Sequence, residues 1–255
     1  MRCLHVHLLP ELVQPQDLVG WSVVVIDVLR ASTTICHALD SGAVGIVPCR
    51  TIDAARHEAL ERKGQDVLLG GERKGVRIDG FDLGNSPADY TPESIHGKTI
   101  IFTTTNGTIA IDRAKHAADI VIGAFNNVTA VADDLANSKK VALLCAGTEG
   151  KISGEDVAAA GAITAHLLRK SEKTSQRTAR LQNSVQLNDE ARIARAWYGK
   201  VTSILSILRE SRGGQRLRQL GYDQDIEIAA QMDSLDIVPR LDHATQFITL
   251  CSRPE

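Results

Sequence analysis

Short apolar, strand-like runs alternate with helix-like stretches through residues 1–170. The strand-like runs lie near residues 3–8, 22–27, 44–49, 66–70, 98–103, 119–123 and 139–145, and the helix-like stretches near 30–41, 52–63, 106–117, 126–137 and 154–170. Alternating strands and helices are typical of a largely parallel sheet that helices cover on both faces. Two of the runs, Val23–Ile26 and Val141–Leu144, are apolar without interruption, as expected of strands buried on both faces. The pattern therefore predicts an α/β fold.

The remaining segments show weaker periodicity. Residues 71–97 are rich in glycine and proline and predict a long irregular loop, and residues 171–190 are polar and predict a surface connection. Apolar positions at three- to four-residue spacing then predict a mainly helical C-terminal elaboration over 188–231, interrupted at Gly213-Gly214. A last strand is predicted at 244–251.

Composition narrows the class of protein. The chain has 255 residues, of which 43% are hydrophobic and 24% charged, with a formal net charge of −2. We expect one α/β domain over 1–255, and the near-neutral charge argues against nucleic-acid and membrane-surface partners. No apolar run approaches the ~20 residues of a membrane span, and no signal-peptide pattern is present. The five cysteines form no Cys-x-x-Cys pair, which favours the cytoplasm, and the sequence leaves open whether the chain forms a homo-oligomer.

Four of the strand-like runs end in clusters of small, polar and charged residues. These clusters begin at Asp27, Gly70, Thr103 and Cys145. Ligands of open α/β sheets bind beyond the carboxyl ends of the strands. We therefore expect the four loops to bring carboxylates, cations and main-chain N–H groups into one crevice, which is the chemistry of a metal-assisted phosphate or oxyanion site.

The first loop holds the strongest candidates. Asp27 follows the strand directly and could bind Mg²⁺ or attack phosphorus. Arg30 could hold an oxyanion with two parallel hydrogen bonds, and Ser32 and Thr33 offer hydroxyl groups near a helix start. The alternative is structural: Asp27 as a helix cap and Arg30 as its ion-pair partner.

The second and third loops offer groups that could bind substrate. Glu72-Arg73-Lys74 stands between glycines, which allow the backbone to approach a ligand closely, although a solvated turn explains the same residues. The third loop provides Thr104, Thr105, Asn106 and Gly107 at a predicted helix start, where N–H groups could hold phosphate or where threonine and asparagine simply cap the helix.

The fourth loop adds Glu155 and Asp156 at the start of a helix. Their carboxylates could bind a hard cation, or only complement the helix dipole. Cys145 and Lys151 are spaced like the Cys-x₅-Arg loop of cysteine phosphatases, with lysine replacing arginine, so a thiolate nucleophile is a second possibility. Far along the chain, Asp225 could reach the site, but the sequence favours a helix cap.

Together these motifs resemble the 2-phosphosulfolactate phosphatase family, over about residues 20–240. The resemblance rests on Val25-Ile-Asp27-Val-Leu-Arg30-Ala-Ser-Thr-Thr34, Gly71-Glu72-Arg73, Gly84-Asn85-Ser86-Pro87, Thr104-Thr-Asn106-Gly107-Thr108, Cys145-Ala-Gly147, Gly154-Glu155-Asp156 and Gly221-Tyr-x-x-Asp225. It implies a three-layer α/β/α fold with a largely parallel, mixed sheet. It also implies Mg²⁺-dependent hydrolysis of (2R)-O-phospho-3-sulfolactate to 3-sulfolactate and phosphate.

The sequence hypothesis is thus a cytoplasmic, Mg²⁺-dependent phosphomonoesterase acting on a small anionic substrate. The expected catalytic residues are Asp27 and Arg30; the metal ligands Asp27, Glu155 and Asp156; and the substrate-binding residues Ser32, Thr33, Arg73, Lys74, Thr104, Thr105, Asn106 and Gly107. Arg73 or Lys74 would neutralise the substrate's carboxylate or sulfonate. Two alternatives remain: a non-catalytic module that binds a small anion, and a metal-free phosphatase that uses Cys145.

Overall fold

The structure of the protein is a computed structural model that describes residues 2–175 and 185–250, without the side chains of residues 171–175. The strands are β1 (Arg2–His7), β2 (Ser22–Ile26), β3 (Gly45–Pro48), β4 (Val67–Arg73), β5 (Val76–Arg77), β6 (Thr99–Thr103), β7 (Asp119–Gly123), β8 (Lys140–Cys145), β9 (Val185–Leu187), β10 (Arg240–Leu241) and β11 (Ile248–Thr249). The helices are α1 (Ala31–Asp40), α2 (Ile52–Glu61), α3 (Pro92–Ile95), α4 (Gly107–Arg113), α5 (Val128–Asp134), α6 (Gly154–Ser175), α7 (Asp189–Tyr198), α8 (Ile204–Glu210), α9 (Arg212–Gln219) and α10 (Asp223–Ala229).

These strands form one sheet with two parallel halves. Its order is β5-β4-β6-β3-β11-β10-β7-β2-β8-β1-β9. Strands β4, β6 and β3 pair in parallel, and we call them the β6 half. Strands β7, β2, β8, β1 and β9 also pair in parallel, and we call them the β2 half. The short hairpin β10–β11 lies between the halves and pairs antiparallel with both.

Apolar side chains cover both faces of this sheet. On one face of β2, Val24 and Ile26 pack with residues of α5, α6 and α7. On the other face, Val23 and Val25 share a core cluster with α1 and with Ile100 of the β6 half. A smaller cluster lies between β3, β6 and α2. The predicted α/β/α arrangement around a largely parallel, mixed sheet is confirmed.

Three sequence expectations differ from the structure. The segment 71–97, expected to be an irregular loop, contains the end of β4, the strand β5 and the short helix α3. Strands β4 and β5 pair as a tight hairpin. Within 171–190, α6 runs to Ser175 and β9 occupies 185–187, whereas residues 176–184 lie outside the described part. The predicted strand at 244–251 is the two-residue β11, and Cys251 is not described.

The C-terminal segment 188–231 contains the helices α7 to α10. Its break comes at Ser211, in extended conformation, which caps α9 by accepting a hydrogen bond from Gly214 N. Gly213-Gly214 is therefore the first turn of α9 and not an interruption. Among the helices described, no segment has both the length and the apolar character that crossing a bilayer requires.

Candidate active site

The four strand-end loops meet in space. Thr105 N of the third loop donates to Glu72 Oε1 of the second over 2.7 Å. Gly107 approaches the first loop so closely that a Cβ added to it would lie 2.9 Å from Asp27 Oδ2. The fourth loop joins the first through Asp156, whose carboxylate accepts a hydrogen bond from Val28 N. The crevice predicted from the sequence thus exists as one place in the fold.

The first loop is held by its own hydroxyl groups. Ser32 Oγ accepts a hydrogen bond from Asp27 N over 2.9 Å, and Thr33 Oγ1 donates to Val28 O over 2.8 Å. Both side chains are buried. They fix the turn that presents Asp27, and the substrate contact predicted for Ser32 and Thr33 stays a prediction.

Asp27 lies in a cluster of buried carboxylates. Its side chain is 5% exposed, Glu72 is 6% exposed and Glu155 is 1% exposed. Burial, and then repulsion from Glu72 and Glu155, raises the pKa of Asp27 to about 7. Burial also raises the pKa of Glu155, and its Oε2 has no hydrogen-bond partner among the described residues. The cluster would be stabilised by positive charge.

Asp156 joins two of the loops. Its Oδ1 accepts from Val28 N and its Oδ2 from Gly147 N, each over 2.9 Å. Burial, followed by repulsion from Glu155 and Asp27, raises its pKa well above the usual range. Through these two hydrogen bonds Asp156 connects the first and fourth loops, and the metal-ligand role predicted for it stays a prediction.

Arg30 lies in the crevice but does not pair with Asp27. Its Nη1 donates to Asp225 Oδ2 over 2.7 Å, and its Nη2 donates to Gly75 O over 2.8 Å. The guanidinium carbon lies 4.5 Å from the centre of the Tyr222 ring. Asp225 Oδ1 accepts a further hydrogen bond from Ser86 Oγ over 2.6 Å. The helix-cap role that the sequence favours for Asp225 is therefore wrong, since its buried carboxylate holds Arg30.

The β4–β5 hairpin separates two neighbouring charged residues. Glu72 faces the crevice, whereas Arg73 turns away and donates to Glu72 O and to Thr103 Oγ1, because successive strand residues point to opposite faces. Lys74 and Gly75 form the two-residue turn with positive φ of 54° and 83°. Lys74 lines the crevice and Arg73 does not.

The third loop forms the start of α4. Thr104 Oγ1 accepts a hydrogen bond from Thr108 N over 3.3 Å, so its hydroxyl caps the helix. Thr105 Oγ1 is buried with no partner among the described residues. Asn106 Oδ1 accepts from Glu149 N over 3.2 Å. Thr105 and Asn106 line the crevice, and the lack of a side chain at Gly107 leaves room for Asp27.

The crevice is a small cleft that opens to solvent. It is lined by Asp27, Leu29, Arg30, Glu72, Lys74, Gly75, Asn85, Thr105, Asn106, Thr148, Glu149, Gly213, Arg216 and Leu217. Sequence reasoning did not assign Asn85, Gly213 or Arg216. The Asn85-Ser86-Pro87 motif could have indicated the first of these, but no local pattern points to the α9 residues.

Comparison with known proteins decides the family. A model of the 2-phosphosulpholactate phosphatase family matches residues 7–244. The chain belongs to this family. A probable 2-phosphosulfolactate phosphatase of Thermotoga maritima is 40% identical over 221 residues, which cover 86% of this chain and 88% of that protein. Proteins of the same name from Thermotoga petrophila, at 39% identity over 86% of this chain and 88% of its own, and Symbiobacterium thermophilum, at 40% identity over 88% and 92%, are similarly close.

As a member of the 2-phosphosulpholactate phosphatase family, the chain is a phosphoric monoester hydrolase. A few carboxylate oxygens of the site could hold Mg²⁺. In the described part, no three His, Cys, Asp or Glu side chains stand close enough together to form a complete metal-binding group. Mg²⁺, however, commonly uses one or two protein carboxylates, with water and substrate phosphate completing its shell. Asp27 and the unpartnered Oε2 of Glu155 provide such oxygens, and Glu72 adds charge beside them.

Cys145 has none of the features of a phosphatase nucleophile. The side chain is fully buried in the core cluster on the α6 side of the sheet, and it does not line the crevice. Burial, and then the charges of Asp156 and Glu155, raises the pKa of its thiol well above the usual range. Since the thiolate is the reactive form, this cysteine behaves as a small core residue.

Proposed function

We propose that this protein hydrolyses (2R)-O-phospho-3-sulfolactate to 3-sulfolactate and phosphate in a Mg²⁺-dependent reaction. Its relatives carry the name probable 2-phosphosulfolactate phosphatase, which supports the phosphatase reaction and the phosphosulfolactate substrate. The single observation that carries the proposal is the buried group of Asp27, Glu72 and Glu155. Within this group, Asp27 and Glu72 line one crevice together with Arg30 and with Thr105 and Asn106 at the start of α4. Acidic oxygens on one side and a guanidinium on the other suit a metal and a phosphoryl group.

In this proposal Arg30 and the third loop hold the phosphoryl group. A guanidinium presents donors in a fixed fork that matches two phosphate oxygens. Asp225 and Gly75 hold the guanidinium in one orientation, so it loses little conformational freedom when a substrate binds. Thr105, Asn106 and Gly107 complete the phosphate site, and Ser32, Thr33 and Thr104 support it through the main chain.

Asp27, Glu155 and Glu72 are the proposed metal-binding side. When bound there, Mg²⁺ would draw charge from the phosphoryl oxygens and make phosphorus easier to attack. Asp27 is proposed either as a metal ligand or as the group that accepts the phosphoryl unit, because its carboxylate suits both roles. The reducing cytoplasm is the proposed location, in keeping with the free thiols of Cys3, Cys36, Cys49 and Cys145.

The decisive experiment measures phosphate release from (2R)-O-phospho-3-sulfolactate by the purified protein with Mg²⁺, after exhaustive treatment with EDTA, and after Mg²⁺ is restored. We expect turnover in the first and third samples only. A Cys145→Ala variant serves as the matched control and should keep its turnover. Full activity in EDTA would reject the metal requirement, and binding of the substrate without any phosphate release would favour the non-catalytic anion-binding alternative.

A further inference from the structure

The cations that line the crevice are not equivalent. They are Arg30, Lys74 and Arg216. The charge of Arg30 is already matched by Asp225 at 2.7 Å. Neither Lys74 nor Arg216 has a carboxylate within ion-pair distance in the described part of the chain, and both side chains are exposed at the rim. Lys74 and Arg216 are therefore the cations of the crevice whose charge no carboxylate of the described residues offsets.

Lys74 and Arg216 lie beside each other and next to Arg30. Arg216 Nη2 donates to Lys74 O over 3.4 Å, and Arg30 Nη2 donates to the carbonyl of the next residue, Gly75, over 2.8 Å. The three cations thus follow one wall of the crevice, from the buried Arg30 outward. Asp27 and Glu72 line the same crevice.

Two features of the backbone bring these cations to the crevice. Lys74 occupies a turn position with φ of 54°, where glycine or asparagine is the usual residue, so a lysine side chain is kept there at a cost in strain. On α9, Gly213, Arg216 and Leu217 all line the crevice, as expected from their helical spacing. Gly213 lets α9 lie close to Glu155, because a Cβ added at this position would be 2.5 Å from Glu155 Oε1.

We propose that Lys74 and Arg216 form a second anion subsite that selects phosphate monoesters carrying a further acid group, the sulfonate in the substrate proposed above. The inference rests on the proposed function for its substrate class. Of the two residues that the sequence offered for this role, Arg73 and Lys74, the inference keeps Lys74, because Arg73 donates to Thr103 Oγ1 on the other side of the hairpin. A multiply charged substrate needs such a subsite because Arg30 and the metal side serve only its phosphoryl end.

The test compares Arg216→Ala and Lys74→Ala with Arg218→Ala. Arg218 is a matched control: it is exposed on the same helix, it pairs with Asp223 at 3.5 Å and it does not line the crevice. For each protein, kcat/KM is measured for phosphosulfolactate and for 2-phospholactate, which keeps the carboxylate and lacks only the sulfonate. We expect the preference for the sulfonated ester to fall by about fivefold or more in the Arg216 and Lys74 variants, chiefly through KM, and to be unchanged in Arg218→Ala.

Product binding keeps this proposal separate from the proposed catalysis. Calorimetric titration with 3-sulfolactate and with lactate needs no turnover, and we expect wild type to bind the sulfonated acid more tightly and Arg216→Ala to lose that difference. If wild type releases no phosphate from either ester, the proposed function fails while the binding data still decide the subsite. Equal loss for both esters, an unchanged preference, or equal binding of the two acids by wild type would overturn the subsite.

Discussion

At the scale of single residues, Asp27 shows a conflict between stability and proposed function. Its carboxylate is buried beside Glu72 and Glu155, and its pKa is raised from 3.8 to about 7. The folded protein therefore keeps a proton that the unfolded chain releases between these two values. Stability contributed by this group is full below the unfolded pKa and is lost as pH rises through the folded pKa.

Replacing Asp27 by Asn should stop turnover while making the metal-free protein more stable above neutral pH. We expect phosphate release to fall by at least about 100-fold, because a ligand or nucleophile charge is removed. In EDTA at about pH 8, the free energy of unfolding should rise by on the order of 1–3 kcal/mol. Urea unfolding and phosphate release measure the two effects, and near wild-type turnover in a folded variant would reject Asp27 as catalytic.

Arg30→Lys should cost far more than the retained charge suggests. The guanidinium reaches Asp225 and Gly75 while lying over the Tyr222 ring, and an ammonium group cannot reproduce that fork. We expect kcat/KM to fall about tenfold or more, since one charge-assisted hydrogen bond contributes ~1.5–3 kcal/mol. Arg50→Lys, at an exposed pair with Asp112, is the control. A variant that loses only melting temperature and keeps its kcat/KM would remove Arg30 from substrate contact.

At the scale of elements, α10 and the loop that follows β5 meet on Arg30. Asp225 lies in the first turn of α10, and Ser86 precedes a short helical turn at Pro87–Asp89. The two side chains bond to each other, and Asp225 continues to Arg30. Because Asp225 and Arg30 are buried, the cost of removing both charges from water offsets their attraction. The main effect of this ion pair is to fix one orientation of the guanidinium.

Substituting Asp225 and Ser86 separately should lower the free energy of unfolding by different amounts. Asp225→Asn leaves the Arg30 charge buried without a partner, so we expect a loss of about 3–5 kcal/mol in the free energy of unfolding. Ser86→Ala removes one neutral donor and should cost about 1 kcal/mol. Urea denaturation of both variants measures the two losses in the free energy of unfolding. Equal, small losses would show that Asp225 and Arg30 are not a strongly coupled pair.

At the scale of the whole molecule, the site depends on both halves of the sheet. Three successive antiparallel pairings between β3 and β7 make the β6 half run opposite to the β2 half. The carboxyl ends of β2, β4 and β6 nevertheless meet, as the contacts of Gly107 with Asp27 and of Thr105 with Glu72 require. The two halves are also joined by a core cluster that contains both Val23 and Ile100.

Because carboxylates from both halves share the crevice, proton and Mg²⁺ binding should compete. If Mg²⁺ binds as proposed, it should displace the proton that Asp27 keeps near neutral pH, since the pKa of Asp27 is raised to about 7, and the raised pKa of Glu155 acts in the same direction. We expect the Mg²⁺ affinity of the apoprotein to increase by up to about tenfold from pH 6 to pH 8, with proton release visible as a buffer-dependent binding enthalpy. An affinity that is flat over this range would contradict the carboxylate site.

The sequence by itself determined the elements and the chemistry of the strand ends. Uninterrupted apolar runs specify buried strands whatever their neighbours are, which is why β2 and β8 were predictable. Asp27 directly follows β2 and Thr105 is the second residue after β6, so their place at the crevice also follows from local pattern. The expected phosphatase activity followed from the resemblance of the motifs to those of the family.

Only the tertiary structure decided which groups face one another. Arg73 and Lys74 are equivalent in sequence, but strand alternation and a tight turn send them to different sides of the hairpin. Asp225 and Arg216 lie nearly 200 residues beyond the first loop, so no local spacing could connect them to Arg30 and Lys74. Asp156, too, became a clamp between loops because its two oxygens met main-chain N–H groups that only folding brings together. Local patterning fixes what each segment is, whereas packing of distant segments fixes what each charge does.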